Sequence, residues 1–407
     1  MYPAFMQEQT TTCCIVGGGP AGMMLGYMLA RAGFEVTVLE KHADFFRDFR
    51  GDTIHPATAD ILFELGLLDD FLKLPHDELH MARINLEGKF IPIADFSDLP
   101  TRCKFMTFVP QWDFLSFISE KGKKFSGFHL LMQHEATDLV RDQGQVVGVS
   151  VMSPDGPVEI RADLVIATDG RHSLMREKAG LPLQTFGVPI DVLWMRIPMP
   201  PNAPENTLGY FSKGQFMVLL NRRDYYQCGL LIPKGAFPAI QQEGIAAFQD
   251  KIVDCAPFLR DVVKEIDSWD KVSLLTVRID RLTKWHMPGL LCIGDAAHAM
   301  SPAGGVGINL AIQDAVATAN LLAEKIKTRT VADADLATVQ TRREPPTITI
   351  QNMQVFLHKQ IVNARPGNTG RIRILLTVLR FLPFLRKRIA RFIAIGPLPE
   401  HVHTIES

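Results

Sequence analysis

The chain has almost no net charge: 43 Lys and Arg stand against 44 Asp and Glu, leaving −1 over 407 residues. That balance removes the broad basic field a nucleic-acid binder uses, so none is expected as a partner. Cysteine is sparse, with six residues (Cys13, Cys14, Cys103, Cys228, Cys255 and Cys292) and no C-x-x-C pair. A dithiol redox centre is thereby excluded, and the six read as reduced core thiols suited to the cytoplasm. No run approaches the ~18 uninterrupted apolar residues of a spanning helix. MYPAFMQEQTTT lacks the charged start and apolar run of a secretory signal. A metal motif is missing as well: HDELH at 76–80 is neither H-E-x-x-H nor H-x-x-E-H, and it has no evident third ligand.

What is present is a globular chain, 47% hydrophobic and 21% charged, long enough for two domains or one large α/β unit. Its first legible stretch is TTTCCIVGGGPAGMMLGYMLARAGFEVTVLE. TTTCCIV suits a buried parallel strand. Gly17, Gly19 and Gly22 follow at G-x-G-x-x-G spacing, a helical pattern runs to Gly33, and EVTVLE is a second strand closing on Glu40. The spacing allows a tight turn, a close approach to a pyrophosphate, and close helix–strand packing. The helix N-terminus offers unpaired N–H groups to the anion, and the acid accepts from a ribose. Strand, glycines, helix, strand and acid in that order point to a dinucleotide, NAD or FAD.

Three later segments have the same character. DLVIATDGRHSLMREKAG (163–180) is a strand ending at Asp169-Gly170 before a helix. GLLCIGDAAHAMSPAGGVGINLAIQDAVATANLLAEKI (289–326) is a strand ending at Gly294-Asp295, a Gly/Pro loop, and a long helix from about Val306. FRGDTIHPATADILFELGLLDDF (49–71) sets Arg50 ahead of an apolar-striped helix. A second cradle of helix N-terminal N–H groups is expected at Gly304–Asn309. Asp295 is placed to accept from a polyol hydroxyl. His298 reads as a loop histidine near the cofactor, with a proton relay as the alternative.

GGGPAG with Glu40, TDG at 168–170, and GDAAH…PAGGVGIN at 294–309 together resemble the FAD-dependent aromatic hydroxylases of the p-hydroxybenzoate hydroxylase type, over residues 11 to 345. That resemblance implies an α/β fold: a Rossmann-like FAD-binding domain (10–182 and 278–345), an inserted, mostly antiparallel substrate sheet (183–277), and a C-terminal helical region with a basic tail (346–407). It implies that Gly17, Gly19, Pro20, Ala21, Gly22, Glu40 and Lys41 hold the ADP half of FAD. Arg50 and Asp169 would lie near the pyrophosphate or the nicotinamide path. Gly294 and Asp295 would take the ribityl chain, and Pro302, Gly305, Gly307, Ile308 and Asn309 would face the isoalloxazine. Gln111 stands where many relatives carry Arg. The implied reaction is NAD(P)H- and O2-dependent hydroxylation of an electron-rich ring through a flavin C4a-hydroperoxide. The chain has no second G-x-G-x-x-G unit, which fits NAD(P)H as a transient visitor. No catalytic side chain is assigned.

Two regions carry weaker signals. Short β-rich runs between 183 and 278 offer Tyr210, Met217, Tyr225 and Tyr226 as substrate contacts, with packing on a sheet face as the plain alternative. Alternation allows at most one of the two adjacent tyrosines to face the flavin. The tail 371–396 holds seven Arg and Lys and no acid. It reads as an interfacial helix on anionic lipid, or as a cap docked on the body or on a second copy in a homodimer. The rival functions are a flavin-dependent reductase or epoxidase of an alkene such as a polyprenyl, and a flavin-binding regulatory protein.

Overall fold

The computed structural model describes residues 7–46, 53–201, 203–204, 208–222, 224–363, 379 and 381–403. Gln7–Val16 forms the central strand of the main sheet, in parallel register with Val36–Glu40 on one side and Gly156–Ala167 on the other. Leu290–Cys292 and Phe128–Met132 extend the parallel array outward. Cys13, Cys14, Ile15 and Val16 are buried, as a strand covered on both faces requires. The helix Pro20–Arg31 starts on proline, whose fixed φ suits the first turn, and stops before Gly33 at φ 85°. Against it lies the core helix Val306–Lys327. That helix is long and apolar enough to span a membrane, yet it is largely buried inside the protein.

The second sheet has seven strands, in the order Ser273–Leu275, Ile190–Pro198, Tyr225–Pro233, Gln215–Asn221, Gly209–Ser212, Met81–Leu86 and Lys89–Asp95. The hairpin at 81–95, outside the 183–277 span read from sequence, belongs to this sheet, because Gly209–Phe211 pairs in parallel with Ile84–Leu86. One helix, Asp333–Asn363, runs through position 345. The helical stretch after the strand Tyr225–Pro233 is broken at Pro257 and again at Gly244, where φ is 91°.

Period-two alternation separates the two faces of this sheet. Leu193, Met195, Met217, Cys228 and Leu230 turn toward a closed core under the helix Ile245–Cys255. Val192, Trp194, Leu220 and Leu231 turn the other way, against Val277, Ile279 and Val355. The tail helix Pro383–Ala394 packs Ile389, Ala390, Ile393 and Ala394 over the hairpin, against Leu79, Ala94 and Phe96. Its described part is therefore docked on the body. Residues 371–378 and 380 lie outside the described residues.

Candidate functional site

The two cradles read from sequence lie at the strand ends of the main sheet. At the first, the turn 17–22 is compressed. A Cβ on Gly22 would sit 2.0 Å from the Gly17 carbonyl oxygen, and the Thr168 hydroxyl bonds that same carbonyl at 2.7 Å. Only glycine admits this approach. At Gly19 a Cβ would meet nothing within 4 Å, so the turn opens onto space. The helix behind it has no side-chain cap. Uncapped N–H groups at a helix start facing open space suit a pyrophosphate. Glu40 closes the second strand and is held by main chain: its carboxylate accepts from Gly18 N–H at 3.3 Å and His42 N–H at 3.0 Å. Lys41 points away into an exposed pair with Glu135, 4.0 Å apart.

The TDG and GD turns meet. Arg171 Nη2 reaches Asp295 Oδ2 at 3.3 Å, and Arg176 ties the two turns by donating to the carbonyls of Ala296 and Arg171. Asp169 Oδ2 accepts from Met175 N–H, whereas its Oδ1 is buried with no hydrogen-bond partner among the described residues. Burial pushes this carboxyl up. An unsatisfied buried acceptor is costly unless a ligand donates to it. Gln111 opens the helix Gln111–Gly122, beside Trp112, whose ring packs on Phe46 in the loop after Glu40. Arg50 falls outside the described residues.

The second cradle begins with two left-handed residues, Gly304 at φ 81° and Gly305 at φ 62°, and Gly305 caps the core helix without a side chain. A Cβ on Gly305 would lie 2.7 Å from Thr53, which fixes glycine there twice over. Pro302, Gly305 and Gly307 retain exposure, while Ile308 is buried. The expectation for Asn309 needs correction at the level of its side chain. Its Oδ1 accepts from His55 N–H and the Thr58 hydroxyl, each at 2.8 Å, and its Nδ2 donates to Thr53 and Gly305 carbonyls at 2.9 Å. All four bonds are internal, so only its main chain remains for a ligand.

Sequence reasoning missed the supports behind these turns. Asp314 Oδ2 accepts from Gly294 N–H at 3.0 Å and from His298 at 2.6 Å, while Arg343 binds Oδ1 at 3.0 Å. Arg343 also reaches Glu400 at 3.1 Å. Burial raises the Asp314 carboxyl, but His298 and Arg343 outweigh it and hold the group below the usual carboxylate range. His298 is therefore a buried hydrogen-bond partner of Asp314 in a short strand, not a loop residue. Nothing in local sequence announces such a network, because its members lie up to about 100 residues apart and share no spacing.

The candidate substrate residues are largely corrected. Tyr210 and Met217 are paired across strands, and both lie with Tyr226 in the closed core, the two rings against Phe258. All three are at most 4% exposed, on the face opposite the one that packs against Val277, Ile279 and Val355. Tyr225 alternates to the other face, where the Arg196 guanidinium lies 5.0 Å from its ring centre. The histidines of HDELH both turn to Glu78, at 3.5 and 3.0 Å.

A family model described as FAD binding domain matches residues 10–350, and the chain belongs to that family. A Streptomyces rimosus protein named 6-methylpretetramide 4-monooxygenase is 32% identical over 359 residues, covering 87% of this chain and 84% of the relative. The Dialkyldecalin synthase of Streptomyces rugosporus is 26% identical over 307 residues, covering 74% of this chain and 62% of that longer protein. Among solved structures, OxyS anhydrotetracycline hydroxylase from Streptomyces rimosus shares the fold with TM-score 0.76 at 24% identity, over 95% of this chain and 76% of that one. The chain is an FAD-dependent monooxygenase of the aromatic-hydroxylase type, with NAD(P)H as reductant.

Proposed function

We propose that this flavoprotein hydroxylates a fused-ring, polyphenolic substrate, larger than a simple phenol. The observation carrying this reading is the 32% identity, over most of both chains, to a relative named for 4-monooxygenation of 6-methylpretetramide. The reading would use the face of the second sheet that carries Trp194, Leu220 and Leu231 beside Val277 and Ile279, with Tyr225 and Arg196 at its edge, as an apolar wall.

FAD, when bound, supplies acceptance of reducing equivalents from NAD(P)H and activation of O2. The residues present fit it. The turn Gly17–Gly22, with Pro20 and Ala21, would take the pyrophosphate, and Glu40 the adenosine ribose. Asp169 Oδ1 and Asp295 would accept from polyol hydroxyls or hold the entry path, with Gln111 at the rim. First-turn N–H groups at Val306–Ile308 would stabilise negative charge on the bound ring system, a preorganised electrostatic effect.

The test is NAD(P)H oxidation in air by purified protein, with fused-ring phenols, simple phenols and lipid-like alkenes in parallel. Product mass and peroxide are recorded. A fused-ring compound that accelerates oxidation and gains one oxygen atom supports the reading. Acceleration by simple phenols alone, or a product of unchanged mass, sinks it. We place the reaction in the cytoplasm on six buried, unpaired thiols. Lipid contact by the tail would have to run through exposed Phe381 and Phe384 on the face away from the hairpin, which vesicle co-sedimentation reads directly.

A further inference from the structure

The helix Asp333–Asn363 buries a polar stripe. Arg343, Thr347, Gln351, Gln354 and His358 are all at most 2% exposed, at intervals of three or four residues that place them on one face. All but Thr347 grip the chain leading into the core helix, or the core helix itself. Gln351 donates to the carbonyls of Asp280 and Ala299 at 2.8 and 3.1 Å. Gln354 takes Ser301 from both sides, accepting its N–H and donating to its carbonyl, each at 3.0 Å, and it also donates to the Ala303 carbonyl at 3.0 Å. His358 Nε2 meets Ser301 Oγ at 3.0 Å, and that oxygen accepts from Ala303 N–H.

Every carbonyl of the loop Ser301–Gly305 is thereby claimed by the protein. Ser301 and Ala303 go to Gln354, Pro302 to Gly305 N–H at 3.1 Å, Gly304 to His55 at 3.0 Å, and Gly305 to Asn309 at 2.9 Å. With all acceptors turned inward, the loop and the uncapped first helical turn present main-chain donors outward. An electron-rich ring edge is what such a surface selects.

We propose that Gln354 is a positioning residue for the cofactor. Its amide fixes the Ser301 and Ala303 peptides, aims the donors of 304–308, and through them sets FAD affinity and flavin reduction potential. The role rests on the proposed seating of the isoalloxazine against Pro302–Asn309. It falls to a residue beyond the 10–350 span matched by the family model.

The experiment titrates FAD into apoprotein by fluorescence quenching and measures the flavin midpoint potential of the reconstituted protein. The variants are Gln354→Leu, Gln354→Glu and, as a reference, Asp295→Ala. Gln354→Leu should weaken FAD binding about tenfold or more, the loss expected of buried hydrogen bonds, and move the potential negative. Gln354→Glu sets a carboxylate against two carbonyls. Protonation restores a donor, so its FAD affinity should recover as pH falls while that of the unsubstituted protein does not. A folded Gln354→Leu with unchanged affinity and potential overturns the inference. If that variant does not fold, a Gln354→Glu affinity equal to that of the parent and flat with pH overturns it. If Asp295→Ala weakens FAD and Gln354→Leu does not, only the positioning role fails; if neither weakens it, the seating of the cofactor fails as well.

Discussion

The main-chain N–H of His55 donates to Asn309 Oδ1 at 2.8 Å, across 254 positions of sequence. This bond joins the loop before the helix Pro56–Glu64 to the first turn of the core helix, with Thr58 sharing the same acceptor. Asn309→Leu leaves four buried groups without partners. Such groups cost about 1–3 kcal/mol each when unsatisfied, so a fall of about 3 kcal/mol or more in unfolding free energy is expected. Urea melts of the apoprotein check it, and a loss below 1 kcal/mol would show that the loop finds other partners.

Gly22→Ala places a methyl group where the Gly17 carbonyl already lies, 2.0 Å away. The turn must open, and FAD retained through gel filtration should fall to a small fraction of that of the parent protein. Gly66→Ala is the comparison, since nothing lies within 4 Å of its Cβ, although its φ of 71° strains the substitution locally.

Arg343→Met withdraws a buried cation from two buried carboxylates, Asp314, which keeps His298 and the Gly294 N–H, and Glu400, which keeps Arg342. Removing one partner of a buried ion network typically costs about 3–5 kcal/mol. Because Asp314 also holds Gly294 N–H, FAD affinity should drop along with stability. A melting temperature within 2 °C of the parent would contradict this account, as a ΔΔG of that size shifts the melt of a 407-residue chain by about 4–6 °C.

Burial lowers His55 and His358 from 6.5 to about 4. Between those values the unfolded chain binds protons that the folded chain refuses. Stability therefore rises with pH through this window and is lost as pH falls from about 6.5 toward 4. Each histidine contributes a slope of up to about 1.4 kcal/mol per pH unit. Denaturant melts from pH 7 to 4.5 should show the loss, with a shallower limb in His358→Gln.

Tyr226→Phe should leave the KM for the ring substrate within twofold, because Tyr226 sits in the closed core against Phe258. Tyr225→Ala, on the opposite face beside Arg196, should raise it. Steady-state kinetics on both variants separate the faces, and the reverse ranking would place the substrate on the wrong side of the sheet.

The cofactor motifs were legible in sequence because they are local. A tight turn, a helix start and a strand end each demand particular residues within a few positions, so Gly17–Gly22, Glu40, Gly294-Asp295 and Gly304-Gly305 could be read without a fold. The same locality revealed the strand before each glycine motif and the helix after it. The β-rich middle was visible too, but not its faces. Tyr210, Met217 and Tyr226 look as suitable as Tyr225 until register places them, since a shift of one residue moves a side chain from the closed core to the opposite face.

Tertiary structure alone decided the rest. The helix Asp333–Asn363 buries amides, a hydroxyl, a histidine and an arginine where hydrophobic periodicity looks for leucine, so its inner face carries no apolar signal. The main-chain partners of Gln351 and Gln354 lie 50 or more positions away. The hairpin 81–95 joins a sheet otherwise built after residue 189, by a parallel pairing that no short segment encodes. Sequence by itself determined that the chain is built to hold a dinucleotide, because binding a pyrophosphate constrains neighbouring residues, and the resemblance carried by three such motifs named it as FAD. Which residues stand behind that cofactor was settled by hydrogen bonds that exist only once distant segments are packed together.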